Sequence, residues 1–146
     1  MVLLDVNVLV YAHREDAPDH TAYRRWLEDR MEQPEPFGVP DLVCSGFLRI
    51  VTHPQIFDPP SSLAVASAFV NAVRSRPNFA ACNPSERHWE VFVSLLKGAH
   101  AAGNLVPDAY LAAIAIEYAA EWITTDNDYA RFPGLKWRHP LRRRSR

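Results

Sequence analysis

Apolar positions along this chain fall into two kinds of run. Val2-Leu3-Leu4 and Trp122-Ile123-Thr124-Thr125 are short runs with apolar leading residues, each stopped by an aspartate. That is the pattern of strands buried on both faces of a parallel sheet. Between them, apolar residues recur at helical spacing. Asn7 is expected to cap a helix over residues 8–12. Over residues 19–31, Ala22, Tyr23, Trp26, Leu27 and Met31 share one broad face. Asp41 is expected to cap a helix through Leu42, Val43, Phe47, Leu48, Ile50 and Val51. His53-Pro54 stops it, because the residue before a proline avoids helical backbone. Ser61 or Ser62 opens a helix reaching residue 74, and Ser85 precedes another over 87–102. Residues 109–119 are helical and almost wholly apolar, so burial on most sides is expected, with Pro107 and Asp108 in the first turn. Minor strands are predicted at 37–40, 79–82 and 135–137, and a loop or short helix start at 126–129. No repeat or linker interrupts the chain. Short strands alternating with helices predict one α/β domain with a short, mostly parallel sheet flanked by helices.

Composition narrows the class. With 146 residues, 48% of them hydrophobic and 23% charged, the chain can bury one core. No apolar run approaches the ~20 residues of a membrane span, so no membrane contact is expected. The opening Met1-Val2-Leu3-Leu4-Asp5 lacks a basic n-region and is not expected to act as a signal peptide. Cys44 and Cys82 are too few for a disulfide framework, and a reduced, cytoplasmic setting is expected. The net charge of −1 conceals a split: residues 131–146 hold seven Lys/Arg and no acid, against nine basic and 17 acidic residues before them. Such a basic end either serves a polyanionic partner or is simply solvated.

The candidate chemistry is acidic. Two predicted strands end in Asp5 and Asp126, and ligands of open α/β sheets bind at the carboxyl ends of strands. Asp108 can join them from a helix start, with Asp128 as a fourth acid. A cluster of carboxylates needs a compensating cation, and oxygen-only ligands select Mg²⁺ or Mn²⁺. Each acid also has a structural reading: Asp5 as a helix cap, Asp126 as a turn former, Asp108 as a helix N-terminal charge, Asp128 as a loop acid. The histidines show no H-E-x-x-H spacing, and no C-x-x-C pair, P-loop or G-x-G-x-x-G turn is present.

Four segments carry a resemblance. Leu3-Leu4-Asp5-Val6-Asn7-Val8-Leu9 resembles the opening of PIN domains. Asn104-Leu105-Val106-Pro107-Asp108-Ala109-Tyr110-Leu111-Ala112-Ala113 resembles their third acidic motif, and Ile123-Thr124-Thr125-Asp126-Asn127-Asp128-Tyr129-Ala130-Arg131-Phe132 their T-x-D-x-D-F segment. Phe47-Leu48-Arg49-Ile50-Val51-Thr52-His53-Pro54 resembles a stretch of VapC-type toxins of bacterial toxin–antitoxin pairs, and Pro140-Leu141 fits their ending. The resemblance implies a PIN-like fold over residues 1–137 with a basic tail at 138–146. It further implies an Mg²⁺-dependent (or Mn²⁺-dependent) endoribonuclease cutting structured RNA such as tRNA, working as a homodimer and blocked by a VapB-type antitoxin. Asp5, Asp108 and Asp126 then take the metal-ligand and catalytic positions, Asp128 matches the second acid of its segment, and Asn7 supports the first. Arg49, Arg142, Arg143 and Arg144 are expected to hold RNA phosphates.

One position departs from the pattern. Many members of the family carry a glutamate three residues before the arginine of the R-x-x-T stretch; here that residue is Gly46. The departure leaves a second reading open, a catalytically weak or inactive PIN-like module that binds RNA or a partner. A small-molecule phosphatase would place a D-x-D at the first strand, where this chain has Asp5-Val6-Asn7.

Overall fold

The structure is a computed structural model and describes residues 1–142. Four strands form one parallel sheet in the order β2-β1-β3-β4: β1 (Val2–Leu4), β2 (Phe37–Gly38), β3 (Glu121–Ile123) and β4 (Trp137–Arg138). β1 lies against β3 with Leu4 opposite Ile123, although more than a hundred residues separate them. Both strands are buried along their apolar residues, which is why each reads as an unbroken apolar run.

Among the described residues six α-helices flank the sheet: α1 (Val6–His13), α2 (His20–Glu32), α3 (Asp41–Val51), α4 (Leu63–Arg74), α5 (His88–Gly98) and α6 (Leu105–Glu117). α1 packs on α2 and α3, α3 on α4, and α5 on α6, which reaches β3. Ala109, Ala112, Ala113, Ile114 and Ala115 of α6 are fully buried, as its composition predicts. No helix among the described residues is long and apolar enough to cross a membrane.

Several local expectations need correction. α1 begins at Val6 and its cap is Asp5, so Asn7 sits inside the first turn. Asp41 is the first residue of α3 and caps nothing; its carboxylate pairs instead with Arg74 at 2.7 Å. Ser62 does cap α4, its Oγ accepting from the Val65 amide at 3.1 Å. Residues 79–82 make a bridge from Phe79 to Phe37 and do not form a strand. Phe37 N–H donates to the Asn78 carbonyl at 3.1 Å and Ala80 N–H to the Phe37 carbonyl at 2.8 Å, and at Gly38 the approach is so close that a Cβ would lie 2.6 Å from the Ala80 carbonyl oxygen.

Candidate functional site

The parallel pairing of β1 and β3 brings their carboxyl ends side by side. The Asp5 amide extends the ladder by donating to the Ile123 carbonyl at 2.9 Å, and Asp126 follows three residues after Ile123. Asp108 enters from the first turn of α6. A 3₁₀ turn, Asn127–Arg131, closes the group and carries Asp128 and Tyr129.

Asp5 is 5% exposed. Its Oδ1 accepts from the Val6 amide and its Oδ2 from the Thr124 hydroxyl, both at 2.7 Å. Burial nonetheless pushes its carboxyl up from 3.8 to about 6, and the charges of Asp108 and Asp126 add to the push against those two hydrogen bonds. Burial also raises the half-buried Asp108 carboxyl, with Asp126 and Asp128 repelling it and a Tyr129 hydroxyl at 3.4 Å opposing the rise. Asp126 accepts from the Asp128 amide at 2.8 Å and so caps the 3₁₀ turn. The structural readings of Asp5 and Asp126 therefore hold: each acid caps an element, α1 or the 3₁₀ turn.

No basic side chain acts on Asp5 or Asp108 among the described residues; their electrostatic neighbours are other acids. An all-oxygen donor set with uncompensated charge suits a hard divalent cation. The carboxylates are not gathered around one point, however: among the described residues no three His, Cys, Asp or Glu side chains stand in a metal-holding group. Each of the three carboxylates meets a local donor: Thr124 O–H on Asp5, the Asp128 amide on Asp126 and Tyr129 O–H on Asp108.

The remaining expected residues are more scattered. Asn7 is half-buried in the first turn of α1, and Asp128 is exposed with Arg131 at 3.9 Å. Arg49 is exposed in the last turn of α3. Arg142 lines a cleft with Met1, Glu35, Glu121 and Lys136, at the amino ends of β1 and β3, the end of the sheet opposite the carboxylates. Arg143 and Arg144 lie outside the described residues. Arg138 belongs to β4 and its guanidinium donates to Glu121 at 2.8 Å. A Cβ on Gly46 would find Val6 Cγ2 at 3.7 Å and nothing closer, so this face of α3 is open toward the residue after Asp5.

Two residues of the site escaped the reading of the sequence. Thr124 is fully buried, and its hydroxyl both donates to Asp5 and accepts from the Asp126 amide at 3.1 Å. Tyr129 directs its hydroxyl at Asp108. The available signal was a hydroxyl residue two places before Asp126, and a tyrosine where the T-x-D-x-D-F pattern has phenylalanine.

Comparison with known proteins agrees with this fold. The PIN domain family model matches residues 2–135. Ribonuclease VapC43 of Mycobacterium tuberculosis is 45% identical over 141 residues, covering 97% of this chain and 96% of that protein. Ribonuclease VapC31 of the same organism is 43% identical over 140 residues, 96% of this chain and 99% of that protein. Among solved structures, VapBC2 from Rickettsia felis aligns with a TM-score of 0.70 at 19% identity over 95% of this chain and 98% of that one. FitAcB from Neisseria gonorrhoeae aligns at 0.67 and 16%, over 96% and 98%. At those identities the likeness is one of fold. With the family match and the identity running nearly end to end, the chain belongs to the PIN-domain family, in its VapC branch.

Proposed function

We propose that this protein is a metal-dependent endoribonuclease and the toxin of a VapBC-type pair. The observation that carries the reading is the group of buried and half-buried acids at the carboxyl ends of β1 and β3 with no basic side chain acting on Asp5 or Asp108. The names of its relatives, ribonucleases VapC43 and VapC31, support the same chemistry. Asp5, Asp108 and Asp126 would hold Mg²⁺ or Mn²⁺, with Asp128 at the rim and Asn7 beside Asp5. A divalent ion bound there supplies an activated water and neutralises charge on the transferring phosphate. The chain's own part is to orient and to bind. Thr124 locks Asp5 to the loop that bears Asp126. Arg49 and the C-terminal arginines, Arg142, Arg143 and Arg144, contribute phosphate contacts on a structured RNA of the tRNA kind. Arg142, in the cleft at the opposite end of the sheet from the acids, would grip backbone away from the cut.

The reading includes a homodimer and a VapB-type antitoxin. A groove of about 350 Å³ between α2 and α4, lined by Leu27, Met31, Phe69 and Val73 together with Arg24 and Glu28, would take a partly apolar segment of such a partner. Residues 1–137 would form the catalytic domain and 138–146 the tail. A second reading, a PIN module that binds RNA without cutting it, draws on Gly46 and on the ungathered carboxylates. Incubation of RNA with the protein in Mg²⁺ or Mn²⁺ against EDTA separates the two. Cleavage that needs metal and is lost in Asp5→Asn and Asp126→Asn is the expected result. RNA binding without cleavage in either ion would favour the module, and wild-type rates in either variant would refute the assigned roles.

A further inference from the structure

The 3₁₀ turn holds a residue whose polar atom is out of keeping with a purely structural role. Tyr129 is 1% exposed, with its ring centre 5.6 Å from Trp122 and 5.8 Å from Phe132. Phenylalanine would fill that space equally well. The hydroxyl instead faces the acids: it lies 3.4 Å from Asp108 Oδ1, and the charges of Asp5, Asp108 and Asp126 all act on it. An ionised carboxylate only accepts hydrogen bonds, so in this contact the phenol hydroxyl is the donor.

Residues 124–129 supply one donor to each carboxylate. The Thr124 hydroxyl serves Asp5 at 2.7 Å, the Asp128 amide serves Asp126 at 2.8 Å, and the Tyr129 hydroxyl serves Asp108. The first two acids also cap an element, α1 and the 3₁₀ turn. Asp108 caps nothing, and among the described residues Tyr129 is the one donor on its carboxylate. It is half-buried and repelled by Asp126 and Asp128, so without that donor its side chain is free to turn toward solvent.

Building on the metal-dependent reading above, we propose that the Tyr129 hydroxyl is a positioning group that holds the Asp108 carboxylate toward Asp5 and Asp126, so that the three present oxygen to one divalent cation. It acts through Asp108 and is not itself a ligand. The long 3.4 Å contact matches a modest effect, since O–H···O bonds are strongest below about 3.0 Å.

The test is a double-mutant cycle read by Mn²⁺ calorimetry on wild type, Tyr129→Phe, Asp108→Asn and the double variant. All four are compared at a temperature where circular dichroism and urea unfolding in EDTA show them fully folded. Tyr129→Phe is expected to weaken Mn²⁺ binding about 3- to 10-fold, and to weaken it no further once Asp108 is Asn. Cleavage by Tyr129→Phe should fall at limiting Mn²⁺ and return to within about twofold of wild type at saturation, with KM for RNA unchanged. Equal weakening in both backgrounds would assign Tyr129 to packing alone and overturn the proposal, as would unchanged affinity. Should Asp108→Asn lose metal and cleavage while Tyr129→Phe matches wild type, this inference falls and the functional reading stands. A wild-type protein that neither binds Mn²⁺ nor cleaves RNA overturns both.

Discussion

Replacing Asp5 by asparagine should make the metal-free protein more stable while abolishing its activity. On folding, this carboxyl moves from 3.8 to about 6 because burial disfavours its charged form. The folded state therefore binds the proton more tightly than the unfolded chain. Stability from this group is fully present below the ordinary carboxylate range and is lost as pH rises through about 6. Above that, an ionised Asp5 costs about 3 kcal/mol, at about 1.4 kcal/mol for each tenfold change in proton affinity. With 5% exposure, solvent screening does little to reduce the figure. Asparagine removes the charge but satisfies only one of the two donors, Val6 N–H and Thr124 O–H, at a loss of about 1–2 kcal/mol. The balance at pH 7.5 in EDTA is a gain of about 1–2 kcal/mol, or roughly 3–8 °C in Tm. Urea and thermal unfolding at pH 7.5 and pH 5, with EDTA and with Mn²⁺, measure it. The gap should shrink or reverse at pH 5, where the wild-type carboxyl is protonated, and Mn²⁺ should stabilise wild type alone. A variant no more stable than wild type at pH 7.5, or a gap that ignores pH, would refute the reasoning.

Further outcomes follow from neighbouring residues. Thr124→Val removes the donor to Asp5 and the acceptor for the Asp126 amide; unfolding should show a loss of about 1–2 kcal/mol and cleavage should drop, whereas wild-type cleavage would deny Thr124 its role. Gly38→Ala drives a Cβ to 2.6 Å from the Ala80 carbonyl oxygen and 2.9 Å from Leu3 Cδ2, so urea unfolding should register a loss of about 1–3 kcal/mol or more. Gly46→Glu meets open space beyond Val6 and should tighten Mn²⁺ binding, with Gly46→Gln as the uncharged control; equal calorimetric behaviour of the two would show that residue 46 does not face the ion. Deleting residues 142–146 removes four arginines and should weaken RNA binding and flatten its salt dependence by about 0.7–0.9 per lost phosphate contact, while leaving turnover at saturating RNA near wild type.

Much of this protein could be read from local pattern. A run of buried apolar residues needs no tertiary information to declare a strand, and so β1 and its terminal Asp5 were legible, as were the alanine-rich α6 and the Ser62 cap of α4. The acidic segments were legible for the same reason: each is contiguous, and its resemblance to PIN domains survives without knowing where the segments meet. What the sequence left open was every contest between partners. Asp5 rather than Asn7 caps α1, and Asp41 pairs with Arg74 instead of capping α3, because a polar side chain takes whichever donor the fold brings nearest. Residues 79–82 have strand composition, yet they pair with β2 through a single bridge, Phe79 to Phe37. Sequence alone left open where the basic C-terminal end lies; β4 directs Arg138 to Glu121, and Arg142 lines a cleft at the amino ends of β1 and β3. Above all, periodicity is a property of neighbours in the chain, while strand order is decided by how the helices cover the sheet. Only the pairing of β1 with β3 sets Asp5 and Asp126 side by side and aims the Thr124 and Tyr129 hydroxyls among the acids.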